Sequence, residues 1–269
     1  MGIIIPHSDF LPVFLKPSSK QFIVEIKPDR FLRCKFANYV ISQNRRDPIH
    51  TGLDGVLIKS AVVRYWPQPG LIPRNPRRGD RFENLCFMGN RDQFIHEVDM
   101  LELGINKLGL NWKMMPRERW HDYSNVDAIV AVRPLVNHQH VAAFFSPDRK
   151  PASKLCNAWL AGVPAILSPE VAFQDIRRSE LDYLEARNVP EIIQKIQDLI
   201  GNLHLRRSMV ENAKKRASEF KWETIVRAWI EIFQEQIIPE YNLWCKSGFR
   251  RSWLYFSRTL RRDRMARSN

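Results

Sequence analysis

The residues whose types and spacing suit them to chemistry are mostly cations. Arg133 closes an apolar run, Arg149 and Lys150 follow a loop rich in His, Asn and Pro, and Ser153 and Lys154 open a short apolar helix in R-K-P-A-S-K-L-C-N-A-W-L-A-G-V-P. A helix dipole puts partial positive charge at its amino end, where each cation costs roughly 0.3–1 kcal/mol. A phosphate or diphosphate bound there reverses the sign. Ser153, read as the cap, and the free backbone N–H groups then form an anion cradle with Lys154 beside it. Arg91, in the turn G-N-R after an earlier apolar run, belongs to the same expectation. The alternative is that Lys150 and Lys154 are solvated and point away from the fold.

Three weaker sets accompany these cations. His7, Asp9 and Asp29 stand near the ends of short apolar runs and are the candidates for a general base should the chemistry need one, although structural roles suit each of them better. His138 and His140 have H-x-H spacing but no third ligand with zinc-like spacing beside them, so no metal is expected. Cys34, Cys86, Cys156 and Cys245 are scattered without a C-x-x-C pair, which reads as reduced thiols in a cytoplasmic protein.

The elements that must position these residues alternate. Strands are expected at Asn84–Met88, Asn111–Met115, Val126–Val132 and Val163–Leu167, with a last short one at Leu181–Leu184. Between them fall a helix capped by Asp92 and carrying Phe94, Val98, Leu101, Ile105 and Leu108 on one face, a short helix at Arg117–Ser124, and the helix Ser153–Ala161, which Gly162 stops. Pro190 starts a further helix, and helices at Leu205–Phe220 and Trp222–Ile237 follow. Such alternation implies parallel pairing through right-handed crossovers, hence an α/β doubly wound sheet with a smaller, incomplete α/β lobe before it. The expected division is a lobe at 1–70, a Pro-rich linker at 71–82, a sheet domain at 83–237 and a basic aromatic tail at 238–269. Strands of the lobe are expected at Phe22–Ile26, Tyr39–Ser42 and Ala61–Tyr65.

With 44% hydrophobic residues, the 269-residue chain can bury a sizeable core. Of the formal charge of +13, residues 246–269 carry +7 and the other 245 carry +6, an ordinary excess for a protein that binds phosphate-bearing ligands. No stretch approaches the ~20 apolar residues of a membrane span, and M-G-I-I-I-P-H-S-D lacks the basic region of a signal peptide.

The turn C-F-M-G-N-R at Cys86–Arg91 and the segment N-A-W-L-A-G-V-P-A-I-L at Asn157–Leu167, with the helices after it, resemble the Rossmann-like C-terminal half of GT-B fold glycosyltransferases of the "group 1" family. The resemblance runs from about Arg81 to Ile237. It implies a glycosyltransferase that takes its sugar from a nucleoside diphosphate and needs no further cofactor. The donor diphosphate is then expected on Arg91, Arg133, Lys150, Ser153 and Lys154. Asn157 is expected on a ribose hydroxyl, and Glu170 either faces the sugar or ribose or caps a helix at Val171–Arg178. Retaining members carry a spaced pair of glutamates; the matching positions here are Arg149 and Asn157. The alternative is a non-catalytic nucleotide-sugar-binding module or a peripheral membrane module derived from such an enzyme.

The tail F-R-R-S-W-L-Y-F-S-R-T-L-R-R-D-R-M-A-R, Phe249–Arg267, interleaves aromatics with arginines. It suits a helix that docks back on the lobes or lies on anionic lipid. Nucleic acid is not an expected partner, because no recognition fold accompanies the tail.

Overall fold

The computed structural model describes residues 1–10, 18–28, 34, 36–47, 49, 58–133, 150–249, 251–253 and 255–256. Arg149, Asp29, His138 and His140 lie outside the described residues. The chain divides into two compact units, one made of residues 1–64, 142–151 and 226–269, the other of 65–141 and 152–225.

The first unit is built on four parallel strands in the order β1-β2-β3-β4: Gly2–Ile4, Gln21–Lys27, Tyr39–Ser42 and Lys59–Val62. The central β2 and β3 supply Phe22, Ile23, Val24, Tyr39, Val40 and Ile41, each at most 3% exposed, as expected of strands covered on both faces. Two charges in this interior are paired: Lys27 Nζ and Asp47 Oδ2 meet at 2.5 Å with both side chains buried. The C-terminal helices return to this sheet. The helix α6 (Trp222–Ile232) passes through a widened π-turn at Phe233–Ile237 into α7 (Ile238–Lys246). The wide turn comes directly before Pro239, whose ring and missing N–H would interrupt a regular helix. Gln236 accepts from the Tyr39 hydroxyl, Glu240 pairs with Lys59, and Tyr241 and Trp244 set their rings edge-on to Phe22. The expected helix Trp222–Ile237 therefore belongs from Val226 onward to this unit and not to the larger sheet.

The second unit holds five parallel strands in the order β6-β5-β7-β8-β9: β5 Asn84–Phe87, β6 Asn111–Met114, β7 Ala128–Ala131, β8 Ala165–Leu167 and β9 Leu184–Glu185. After β5 the chain winds outward to β6, then recrosses to β7 and continues the other way. Right-handed crossovers consequently place α1 (Val98–Lys107) and α2 (Ser153–Ala161) on opposite faces. The helix α1 packs beside α4 (Val189–Gly201), and α2 beside α5 (Leu203–Ala217). The doubly wound α/β fold expected from the sequence is present, with its point of reversal between β5 and β7.

Three local expectations are corrected. Asp92 does not cap α1: residues Arg91–Gln93 form a 3-10 turn and the helix begins at Val98. The expected helix after Pro116 is a single 3-10 turn, Arg117–Arg119. Ser153 does not cap α2. The Cys156 N–H already donates to the Ala152 carbonyl at 3.0 Å, so the cap position falls on Ala152, which has no side-chain acceptor, and Ser153 is the first helical residue. At the other end Gly162 is left-handed (φ 70°, ψ 38°), as a helix-ending glycine requires.

The Pro-rich segment is tied along the second unit. Arg74 N–H donates to the Ala161 carbonyl and Asn75 N–H to the Ser124 carbonyl, and Ile72 bridges to Asp122.

Candidate functional site

In an open parallel sheet, ligands sit outside the carboxyl ends of the strands at the point of reversal. The register pairs Cys86 with Ile129 and Ala131 with Leu167, so the residues following β5, β7 and β8 emerge at one edge. The stretches after β7 and β8 contribute polar groups there, and the stretch after β5 a glycine that meets the first turn of α2.

After β7 comes Arg133 and after β8 comes Ser168-Pro169-Glu170. The Arg133 N–H donates to Ser168 Oγ at 3.4 Å, the Ser168 hydroxyl donates to Glu170 Oε1 at 2.8 Å, and Arg133 Nε stands 3.1 Å from the same oxygen. Glu170 is 7% exposed and the Arg133 side chain 17%, so the carboxylate is compensated where solvent screening is weak. Glu170 occupies the cap position of α3 (Val171–Ile176), yet its side chain makes no capping bond; the carboxylate is turned to Arg133. A guanidinium carries five N–H donors, and the ion pair with Glu170 uses Nε.

After β5 comes Gly89. The Lys154 ammonium lies 5.6 Å from the centroid of the Phe87 ring, within cation–π range. A Cβ on Gly89 would fall 2.7 Å from Phe87 Cζ and 3.2 Å from Lys154 Cε. Only a glycine lets the lysine lie along the end of β5. Phe87 is itself held by Phe94 (centroids 4.6 Å apart), which stacks on Trp112 at 5.5 Å.

Of the residues singled out in the sequence, Arg133 and Glu170 are joined directly, and Ser153, Lys154 and Asn157 share α2. Asn157 has a structural partner: its Oδ1 accepts the Gln68 N–H at 3.1 Å, fastening the Pro-rich segment to the helix. Arg91 is turned to its own loop, donating to the Ile95 carbonyl at 3.3 Å. Lys150 belongs to the first unit, where its carbonyl accepts from Asn44 Nδ2 at 3.5 Å. His7 closes its own turn, Nδ1 accepting the Asp9 N–H at 3.2 Å.

Of the residues of this edge, Ser168 has no role in the sequence reading, and Gly89 enters it only as part of the G-N-R turn. Ser168 stands in an S-P-E turn whose importance depends on its pairing with Arg133, a long-range relation with no local signal. The glycine after an apolar run ending in Phe does carry one, since a bare backbone position at a strand end admits a close neighbour.

A cavity of about 360 Å³ opens at the opposite, amino edge, lined by Arg74, Asp80, Phe82, Asp127, Arg206 and Arg207 among others; none of the candidate residues lines it. Asp127, 2% exposed, closes that edge. It accepts from Nε and Nη2 of both Arg74 and Arg78 and from the N–H groups of Glu83 and Asn84, at 2.6–3.0 Å. Burial pushes its carboxyl upward, but the bonds from Arg78, Glu83, Asn84 and Arg74 prevail and hold it below the usual carboxylate range.

No family model matches the sequence, and no curated protein matches it. Solved structures do. Anabaena Alr3699/HepE in complex with UDP and glucose matches with a TM-score of 0.58 at 12% identity, over 80% of this chain and 72% of that one. The pneumococcal O-GlcNAc transferase GtfA in complex with UDP and GlcNAc gives 0.56 at 11%, over 81% and 53%. Sucrose-phosphate synthase from Thermosynechococcus elongatus gives 0.51 at 13%, over 76% and 59%. The chain thus spans between 53% and 72% of the length of these proteins. At such identities the likeness is one of fold: this chain has a GT-B-like fold of two Rossmann-like units.

Proposed function

We propose that the chain is a glycosyltransferase that holds a nucleoside-diphosphate sugar at the carboxyl edge of β5, β7 and β8. What supports this reading is that Arg133 follows β7 and Lys154 lies against Phe87 at the end of β5, the two strands between which the sheet reverses. When the bond between the anomeric carbon and the diphosphate breaks, its electron pair stays on the phosphate oxygen. Fixed cations and N–H groups aimed there stabilise that charge more in the transition state than in the ground state. Glu170 serves as the positioning residue of Arg133, holding Nε and leaving the other guanidinium donors for the phosphates. Ser153, as the first residue of α2, offers its N–H and hydroxyl to the same anion; Arg91, in the loop after β5, is the more peripheral charge. Asn157 retains its amide N–H donors for a ribose while its oxygen is engaged by Gln68.

HepE and GtfA are both described with UDP and a sugar, which makes uridine the base to test first. A thermal-shift screen over UDP, GDP, ADP and their sugars is the direct experiment, with Lys154→Ala as control. The reading predicts stabilisation by at least one nucleoside diphosphate and its loss in the variant; no response to any of them would refute it.

A second reading, a nucleotide-sugar-binding module without transfer, is favoured by one observation. Asn157, at the position of a retaining-family glutamate, has its side-chain oxygen on the Gln68 backbone. Donor hydrolysis measured beside donor binding separates the two.

A further inference from the structure

The C-terminal helix after α7 carries a surface that the site above does not use. Residues 248–249, 251–253 and 255–256 are helical, and the Arg251 N–H donates to the Ser247 carbonyl at 3.1 Å. One side of this helix turns inward. The Arg251 guanidinium lies over the Trp244 ring at 5.6 Å and donates to the Cys245 carbonyl, and the Tyr255 ring meets Phe36 at 6.1 Å. Another side holds Phe249, Trp253 and Phe256, which are 82%, 65% and 64% exposed. Spacings of four and then three residues put side chains within about 60° of each other on a helix. The three rings therefore form one outward stripe.

Single exposed apolar side chains are ordinary, whereas a contiguous row marks an interaction surface. We propose that this stripe seats the protein on an anionic lipid surface, with the rings at the headgroup level and the positive charge of the segment adding to the attraction. Three observations select this occupant. The rings are aromatic, the type that favours the boundary between water and hydrocarbon. The segment from Lys246 to Asn269 holds eight Lys or Arg against one Asp, and cations beside an anionic leaflet add to binding residue by residue. The same charge opposes a second copy of the chain on this face, since two segments of +7 would be brought together. An apolar row on a helix within a strongly basic segment is the pattern of a helix lying in the plane of the interface.

The test is sedimentation of the full chain with vesicles of phosphatidylcholine alone and of equal parts phosphatidylcholine and phosphatidylglycerol. Binding to the anionic vesicles only is expected, weakened by added salt. It should fall about tenfold or more in the triple variant Phe249→Ser, Trp253→Ser, Phe256→Ser. Should the triple variant lose its fold by circular dichroism, the single variants Phe249→Ser and Phe256→Ser, at the two ends of the stripe, are each expected to weaken binding. No association with either vesicle, or association unchanged in folded variants, would overturn the proposal. So would a concentration-dependent dimer or single-stranded RNA binding that the variants abolish in the absence of vesicle binding. Nucleotide-induced thermal shifts should be the same in wild type and variants, so this outcome is separate from that of the donor site.

Discussion

The Nε of Arg133 and the Oε1 of Glu170 stand 3.1 Å apart, two residues that follow adjacent parallel strands and are joined a second time through Ser168. Removal of one partner leaves the other charged and nearly dry, which typically costs about 3 kcal/mol. Arg133→Ala is therefore expected to lower the melting temperature by several degrees. Arg133→Ala/Glu170→Ala should recover part of that loss, the coupling being read by a double-mutant cycle in urea. Purely additive losses would mean that the pair is not coupled.

Gly89→Ala tests the strand end. Its methyl group would overlap the Phe87 ring and crowd Lys154, so a cost of about 1–3 kcal/mol is expected. On the proposed function, nucleotide affinity drops as well, because the ammonium is displaced. Calorimetric unfolding and nucleotide titration of one preparation read both effects.

Acid should unfold the second unit through its amino edge. Asp127 is held below the usual carboxylate range. Asp122 is lowered to about 2, first by the Ser124 hydroxyl and then by Arg119. For a depressed folded-state pKa, the stabilisation is fully present above the unfolded value near 4 and is lost as pH falls through the folded value. Stability should thus fall from about pH 4 downward. Asp127→Asn should cost about 3 kcal/mol at neutral pH, by taking the carboxylate from Arg74 and leaving Arg78 with that of Glu83, and should flatten the acid limb. An unchanged acid limb in the variant would show that the network does not govern acid stability.

Thiol reactivity follows burial. Cys86 is 5% exposed and burial pushes its thiol up to about 12, so little thiolate forms at neutral pH. Iodoacetamide on the native protein is expected to label Cys34 and Cys245, which are half-buried, before Cys86 and Cys156. Peptide mass mapping of brief exposures checks the order.

Much of the frame was legible in the sequence because it rests on local rules. Short apolar runs marked β5 to β8, and the end of the helix Ser153–Ala161 was marked by Gly162, which suits the left-handed position after it. What escaped depends on contacts far apart in the chain. The strand Gly2–Ile4 exists through its pairing with Gln21–Ile23, and three residues are too few to show a period. Ser153 was expected at the cap from its type alone, whereas the hydrogen bond from Cys156 to Ala152 decided the matter. Asp127 offered a signal that went unused: a carboxylate inside the run V-D-A-I-V-A-V must find partners when buried, and Arg74 and Arg78 in the Pro-rich segment supply them. The bond from Gln68 to Asn157 spans 89 residues and leaves no trace in either neighbourhood.

Titration calorimetry of UDP into the wild-type chain and into Lys154→Ala tests the central claim most directly. An ammonium on a phosphate makes charge-assisted hydrogen bonds worth about 1.5–3 kcal/mol, so the variant should bind about tenfold or more weakly while keeping its fold. Equal affinity in a folded variant would contradict a diphosphate site at the amino end of this helix.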